Sequence, residues 1–247
     1  MSAAERLAPI GLAELDACAA LRDRVDVKYV VGLDVLGVLL ERLAATHRAL
    51  DIEGRRSFSY ATAYYDAPDL RCYRDHLQGR RRRFKCRTRR YVETGTRAFE
   101  VKLKGARGET VKRRAVLDGP VDLRDPALLE FLRDACGREP GALGESLRMR
   151  FARTTLVAPE LGERLTCDVG LAFTAPGGAA ARLAAGRAIV ESKSRSGAAL
   201  ADAVLRSLGA RPVSGCSKYA LGIALTRPGV RANPYRPLLR RHFEASA

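Results

Sequence analysis

The sequence predicts an α+β fold built on a closed antiparallel β-barrel of about eight strands with flanking helices. Three observations carry that expectation. Short runs near residues 24, 81, 100, 112 and 148 alternate charged and apolar residues with the two-residue period of a strand. Stretches with the apolar spacing of amphipathic helices lie between them. The 247 residues also carry a formal charge of +16 while 47% are apolar, enough for a sizeable core and a large cationic surface. A closed sheet has no edges for lysine and arginine to protect, so cationic faces repeated on many strands read as a polar lumen that holds an anion.

In chain order, Leu12, Leu15, Ala19 and Arg22 space as a short helix, and RVDVKYVV (24–31) is a strand with Arg24, Asp26 and Lys28 on one face. LDVLGVLLERLAATHRAL is a helix whose apolar stripe is Leu36, Leu39, Leu40 and Leu43. SFSYATAYYDAPDL is a strand closed by Asp66 and Pro68, followed by a helical turn carrying Tyr73, Arg74 and His76. GRRRRFKCRTRRY (79–91) is the most cationic strand, with Arg81, Arg83, Lys85, Arg87 and Arg89 sharing a face. RAFEVKLKG (97–105) sets Glu100, Lys102 and Lys104 opposite Phe99, Val101 and Leu103. GETVKRRAVL, with Lys112 and Arg114 on one face, forms the second arm of a hairpin through the glycines at 105 and 108. Asp125 is an N-cap with Pro126 at the first helical position, and that helix ends near Gly137. Further strands place Arg148 with Arg150, Arg164 with Thr166 and Asp168, and Glu191 with Lys193. The glycine- and alanine-rich stretch 176–186 is a loop or short turn. A helix capped by Ser196 stops at Gly209, and Ser217, Lys218 and Tyr219 open the last helix, ahead of a basic, proline-containing tail over 227–247.

The charge requires a polyanionic partner: nucleic acid, an anionic membrane surface or phosphate compounds. With 6% aromatic residues and no tryptophan, stacking platforms for single-stranded nucleic acid are poorly supplied. Cysteines 18, 72, 86, 136, 167 and 216 form no CxxC pair, as expected of reduced, mostly buried thiols in a cytoplasmic protein. No apolar run is long enough to span a bilayer, so any membrane link would come through a partner. No P-loop, GxGxxG or GxSxG pattern occurs, and His47, His76 and His242 are scattered. Asp26, Glu100, Asp168 and Glu191 stand within the basic faces. Each is either an ion-pair partner for its neighbours or an oxygen ligand for Mn²⁺ or Mg²⁺, with Glu191 the leading choice.

The ordered set RxDxKY (24–29), YYDAPDLRCYRDHLQG (64–79), FKCRTRRY (84–91), FEVKLK (99–104), VKRR (111–114), RLTCD (164–168), IVESK (189–193) and SKY (217–219) resembles the VTC (vacuolar transporter chaperone) domain. That is the polyphosphate polymerase branch of the triphosphate tunnel metalloenzymes. The resemblance runs from about residue 20 to 225 and implies a single tunnel domain across 1–247. It implies catalytic cations at Lys28, Arg87, Arg89 and Lys218 and substrate contacts from His76, Lys102, Lys112, Arg150 and Ser217. A divalent Mn²⁺ or Mg²⁺ would sit on Glu191, with Glu100 as a second carboxylate. The implied reaction moves the γ-phosphoryl group of ATP onto inorganic polyphosphate; hydrolysis of a triphosphate and non-catalytic polyanion binding are the alternatives. The sequence departs from the pattern at Asp26, where glutamate is usual, at Tyr65 and Ala67, at Arg148, where a tyrosine is expected two residues before Arg150, and at Ser192.

Overall fold

The computed structural model describes residues 3–18, 24–104 and 110–246. Its strands are β1 (Ala8–Ile10), β2 (Val25–Gly32), β3 (Arg48–Leu50), β4 (Phe58–Asp66), β5 (Phe84–Tyr91), β6 (Arg97–Lys104), β7 (Thr110–Leu117), β8 (Gly144–Ala158), β9 (Glu163–Thr174), β10 (Ala180–Leu183), β11 (Arg187–Ser194) and β12 (Phe243–Ser246). The helices are α1 (Leu12–Cys18), α2 (Leu33–Leu43), α3 (Arg71–Leu77), α4 (Pro126–Cys136), α5 (Leu200–Ser207), α6 (Lys218–Thr226) and α7 (Arg236–His242).

The central ladder runs β2-β11-β9-β8-β4-β5-β6-β7, antiparallel throughout. β8 and β9 are long enough to change partners along their length. The far end of β8 takes β3, which in turn pairs with β1, and the far end of β9 takes β10 and then β12. Between Arg150 and Ala152 the register shifts opposite Gly170, whose φ of +62° suits the extra residue of a bulge.

The sheet is rolled but, among the described residues, not closed: no ladder joins β2 to β7. The expected barrel is corrected to this extent, and charge supplies the reason. β7 presents Lys112, Arg113 and Arg114 in succession and β2 carries Lys28, with Arg24 just before it, so pairing these edges would set like charges against each other. The roll itself is visible in the electrostatics, since Glu191 on β11 and Asp26 on β2 act on Lys102 of β6, near the opposite end of the ladder.

Helices cover the convex face. Leu36, Leu39, Leu40 and Leu43 of α2 pack with Ala201 and Leu205 of α5 on Tyr29, Leu165 and Val190. Leu128 and Leu132 of α4 pack on Phe84, Cys86, Phe99 and Val101. Each fully buried leucine there is worth about 1.5–3 kcal/mol. α6 instead lies on the concave face: a Cβ on Gly222 would stand 2.4 Å from Leu147 and 2.6 Å from Phe173, so only glycine permits this approach.

Several boundaries differ from the sequence reading. The cationic strand begins at Phe84, because residues 80–83 form a turn in which Arg83 donates to the carbonyls of Gly79 and Arg80. Residues 180–183, expected in a loop, form β10. The basic tail folds back as α7 and β12 onto β10, where Phe243 buries against Phe173. The helix expected to start at Ser196 starts at Leu200, because Asp202 accepts from the Ala199 amide and Glu163 from that of Leu200. Asp125 does cap α4, accepting from the Ala127 amide at 2.9 Å. Ala19, Arg22 and the glycines at 105 and 108 lie outside the described residues. Among the described residues no helix is long and apolar enough to cross a membrane.

Candidate active site: a cationic concave face

Strand register decides which side chains share the concave face. Cross-strand pairs place Lys28 opposite Glu191, Glu191 opposite Thr166, Asp168 opposite Arg153, Arg87 opposite Glu100 and Lys102 opposite both Lys85 and Lys112. The same register puts Thr62 beside Arg89 and Tyr64 beside Arg87.

Three carboxylate centres neutralise most of this face. Buried Glu100 pairs through Oε2 with Arg87 at 2.7 Å and Arg89 at 4.0 Å, and through Oε1 with Lys112 at 2.5 Å. Asp168 takes both arms of Arg153 at 2.6 and 2.8 Å and Lys218 at 2.6 Å. Glu191 contacts Lys193 and lies 3.8 Å from Lys28, while Asp26 lies 3.5 Å from Lys193 and 3.2 Å from Arg24. Burial alone would raise these acids. For Asp168 it is outweighed by Lys218 and Arg153, leaving the group near 2; for Glu100 and Glu191 the surrounding cations hold the carboxyl well below its usual range. Aromatic faces support the guanidiniums: Arg89 lies 5.2 Å and Arg153 5.4 Å from the Tyr60 ring centre.

The end of the channel nearest α3 and α6 is different. Lys85 donates to Ser217 Oγ at 2.8 Å, and among the described residues neither Lys85 nor Lys102 has an ion-pair partner. Burial, with Lys102, Lys28, Arg83 and Arg87 nearby, pulls Lys85 well below a free lysine. Burial among the channel walls brings Lys102 to about 8 despite Glu191 and Asp26. His76 is pushed to about 3 by burial and by Lys85, Arg83, Lys102 and Lys28, so it is neutral at pH 7. Lys85 and Lys102, held close among further cations and with no ion pair of their own among the described residues, define a seat for an anion. Deeper in the face, Thr62 Oγ1, Thr166 Oγ1 and Arg89 Nε are buried without a hydrogen-bond partner among the described residues.

Asp66 fixes this end. Its carboxylate accepts from the amide of Ala67, from those of Cys72 and Tyr73 in the first turn of α3, and from the Tyr219 hydroxyl on α6. Ser217 caps α6 through the Ala220 amide, so Asp66 sets where His76, Ser217 and Lys218 stand. Tyr219→Phe is expected to cost about 1.5–3 kcal/mol, the range for a hydrogen bond to a charged group, read as a lower melting temperature with weaker triphosphate binding.

The structure brings together Lys28, Arg87, Arg89, Lys102, Lys112, Ser217 and Lys218, with His76 beside them. Arg150 does not join them: it pairs with Ala61 and Ala172 on the opposite face of β8 and is exposed. The concave row of β8 is Leu147, Met149, Phe151 and Arg153, so the arginine that β8 turns into this face is Arg153, with Phe151 rather than a tyrosine two residues before it. Lys85, Arg153 and Lys193 were missed as site residues. Lys85 and Lys193 lie two residues from Arg87 and Glu191, a spacing that puts each on the same face as its neighbour.

Among the described residues no group of three histidine, cysteine or carboxylate side chains is poised for a metal. Glu100 does not fit as a ligand, because both of its oxygens are ion-paired. Glu191 fits as a single ligand: Lys193 and Lys28 both lie on Oε1, which leaves Oε2 for a hard cation whose other ligands are phosphate oxygens.

Residues 23–120, which include β2, β4, β5, β6 and β7, match the VTC domain family model. No curated protein sequence matches the chain. Among solved structures, a candidate adenylate cyclase from Bacillus halodurans is 14% identical, covers 80% of this chain and 95% of its own, and has a TM-score of 0.52. The PH1819 protein from Pyrococcus horikoshii OT3 is 15% identical, with coverages of 80% and 97% and a TM-score of 0.47. A candidate adenylyl cyclase from Hippeastrum, HpAC1, described as having a dominant triphosphatase activity, is 15% identical, with coverages of 81% and 95% and a TM-score of 0.48. Of these three the B. halodurans protein alone exceeds 0.5, and at its identity what it has in common with this chain is the fold. Over residues 23–120 the chain matches the VTC domain family model, and with the B. halodurans protein it shares the fold of a rolled antiparallel sheet.

Proposed function

We propose that the chain, read as one tunnel domain with a core at about 20–225, is a triphosphate tunnel enzyme working in the cytoplasm. Within that class we propose a polyphosphate polymerase-like phosphotransferase that moves the γ-phosphoryl group of ATP onto inorganic polyphosphate. The observation that carries this reading is the pair Lys85 and Lys102, without an ion-pair partner among the described residues, beside Lys28 and neutral His76 and closed by Ser217, at the end of a face whose other cations are neutralised.

Phosphoryl transfer needs in-line positioning and charge neutralisation more than covalent help. Arg87, Arg89, Arg153 and Lys218, braced by Glu100 and Asp168, hold phosphate oxygens without reorganising. Lys85 and Lys102 receive the most anionic, terminal group. A divalent cation on Glu191 Oε2 would supply further neutralisation of phosphate oxygens. The state of the carboxylates favours transfer over hydrolysis. Activating water calls for a carboxylate able to take a proton, yet Glu100, Asp168 and Glu191 are held by cations well below their usual range. A terminal phosphate acceptor is already anionic and needs no base.

Incubation of the purified chain with ATP and Mn²⁺, followed by sizing of phosphate chains on a gel, tests the reading. Chain growth supports the polymerase, release of monophosphate without chains supports the triphosphatase, and metal-indifferent binding without turnover supports a polyanion-binding module. Glu191→Gln is expected to lower Mn²⁺-dependent turnover about tenfold or more while leaving tripolyphosphate binding largely intact; full activity would remove the metal assignment. Because Lys102 titrates near 8 and an anion favours its charged form, binding above that pH takes up a proton and weakens as pH rises. Calorimetry in buffers of different ionisation enthalpy is expected to show this uptake, and Lys102→Met to reduce it, Lys85 keeping a share.

A further inference from the structure

We propose that a row of arginines across the convex face of the sheet is a second track for inorganic polyphosphate, holding the body of a chain whose end occupies the channel. This rests on the channel holding phosphate, as proposed above. Strand register draws the row: Arg97 of β6 stands opposite Arg90 of β5, Arg90 opposite Ala61 of β4, Ala61 opposite Arg150 of β8, Arg150 opposite Ala172 of β9, and Ala172 opposite Arg182 of β10. These residues are on the face that carries Cys86 and Phe99 under α4, not on the channel face. Arg90, Arg150, Ala172 and Arg182 are exposed and Arg97 is half-buried. With neighbouring strands about 4.8 Å apart, the row runs about 24 Å from Arg97 to Arg182.

Exposed arginines on a sheet ordinarily guard an edge or simply solvate it. Here β5 is paired on both sides, by β4 and β6, and β8 by β4 and β9, so neither strand has an edge to guard at these positions. Arg90 and Arg97 are directly opposite like charges, an arrangement that costs stability until an anion bridges it. Among the described residues Arg97, Arg90 and Arg150 have no ion-pair partner, whereas Arg148 is tied to Glu145 and Arg182 to Glu244 at 3.1 Å. Ala61 and Ala172 keep the spaces between the guanidiniums open. Every cation in the row is an arginine, whose planar fork matches two phosphate oxygens. The row is also continuous with the channel. Lys85, Arg87 and Arg89 follow one another along β5 toward the β5–β6 turn, and Arg90 with Arg97 is the final cross-strand pair before that turn. A chain with its terminal phosphate at Lys85 therefore runs out past Arg89 and, on rounding the turn, meets Arg97 and Arg90 on the other side, where a tripolyphosphate does not reach. The row has no aromatic ring to stack a base and no large apolar side chain to enter a bilayer, so a bare phosphate chain is the polyanion it suits.

The test is calorimetric binding of tripolyphosphate and of long-chain inorganic polyphosphate, at several salt concentrations, to the full chain and to its Arg90→Gln/Arg150→Gln double variant. The expected result is a tripolyphosphate affinity within about twofold of the unsubstituted chain, a long-chain affinity about tenfold weaker, and a slope of log affinity against log salt shallower by about 1.4, the share of two phosphate contacts on a single-stranded polyanion. Unchanged long-chain affinity and slope would overturn the proposal. Equal losses for the two ligands would also overturn it, since they would assign both arginines to the channel or to the fold. A third overturning result is loss of binding to single-stranded RNA or to phosphatidylserine vesicles with long-chain polyphosphate binding kept, which would give the row another partner. If the unsubstituted chain binds no tripolyphosphate, the channel reading fails by itself, and the long-chain difference between chain and variant still decides the row. Should the double variant fail to fold, Arg150→Gln alone, set between two alanines, carries the test with about half the change in slope.

Discussion

Lys85→Met is expected to raise the melting temperature by a few degrees and to weaken tripolyphosphate binding about 100-fold. The two effects have one origin. The Lys85 ammonium is taken out of water among Lys102, Lys28, Arg83 and Arg87, and its hydrogen bond to Ser217 is to a neutral group. In the free protein that charge is a cost, and methionine keeps the volume while removing it. Against a phosphate, the same ammonium makes a charge-assisted hydrogen bond in a site of low dielectric, where loss of one such contact costs about 1.5–3 kcal/mol. The pH dependence follows from the direction of the shift. With a folded value below the free-lysine 10.5, the folded chain binds this proton less tightly than the unfolded chain. Wild-type stability therefore rises with pH toward 10.5, and the stability advantage of the variant is expected to shrink over the same range. Thermal melts at two pH values and a binding isotherm check all three statements; a variant both less stable and fully able to bind would make Lys85 a structural residue.

Glu100→Gln is expected to have the opposite signature: a large loss of stability that added tripolyphosphate restores. Glu100 is 1% exposed and contacts Arg87, Arg89 and Lys112. The amide leaves these cations buried without a counter-charge, and breaking a buried pair in this way costs about 3–5 kcal/mol. For a chain of this size that corresponds to a fall of roughly 6–20 °C in melting temperature. A bound anion can take over the neutralising role, so the gap from wild type is expected to narrow as tripolyphosphate is added. An unchanged melting temperature would mean that Glu100 is not what holds this cluster together.

These two residues also mark what the sequence made legible. Period-two alternation placed Lys28, Arg87, Arg89, Lys102 and Lys112 on strand faces that do converge, and the ordered motifs located Ser217 and Lys218 at the head of a helix. Alternation alone cannot say which of two faces turns inward. On β8 both rows are plausible cation carriers, since Arg148 and Arg150 alternate on one and Arg153 ends the other, and the apolar run Leu147, Met149, Phe151 that packs against α6 settles the choice. Partner assignment was hidden for the same reason. Glu100 looked like a metal ligand because nothing local shows that Arg87 and Lys112, on neighbouring strands, occupy its two oxygens. The rolled but unzipped sheet, and the return of residues 243–246 to β10, depend on contacts far apart in sequence that no local pattern encodes.

That no ladder joins β2 to β7 among the described residues bears on how a long polymer would be held. A cylinder stitched all the way round admits a strand of phosphates only by threading from an end, and releases it the same way. A wall with a slit imposes no such topology: a polymer can be laid in along its flank and can slip out sideways at any step. Retention then depends on electrostatic grip rather than enclosure, so dwell time on long substrates should shorten steeply as ionic strength rises.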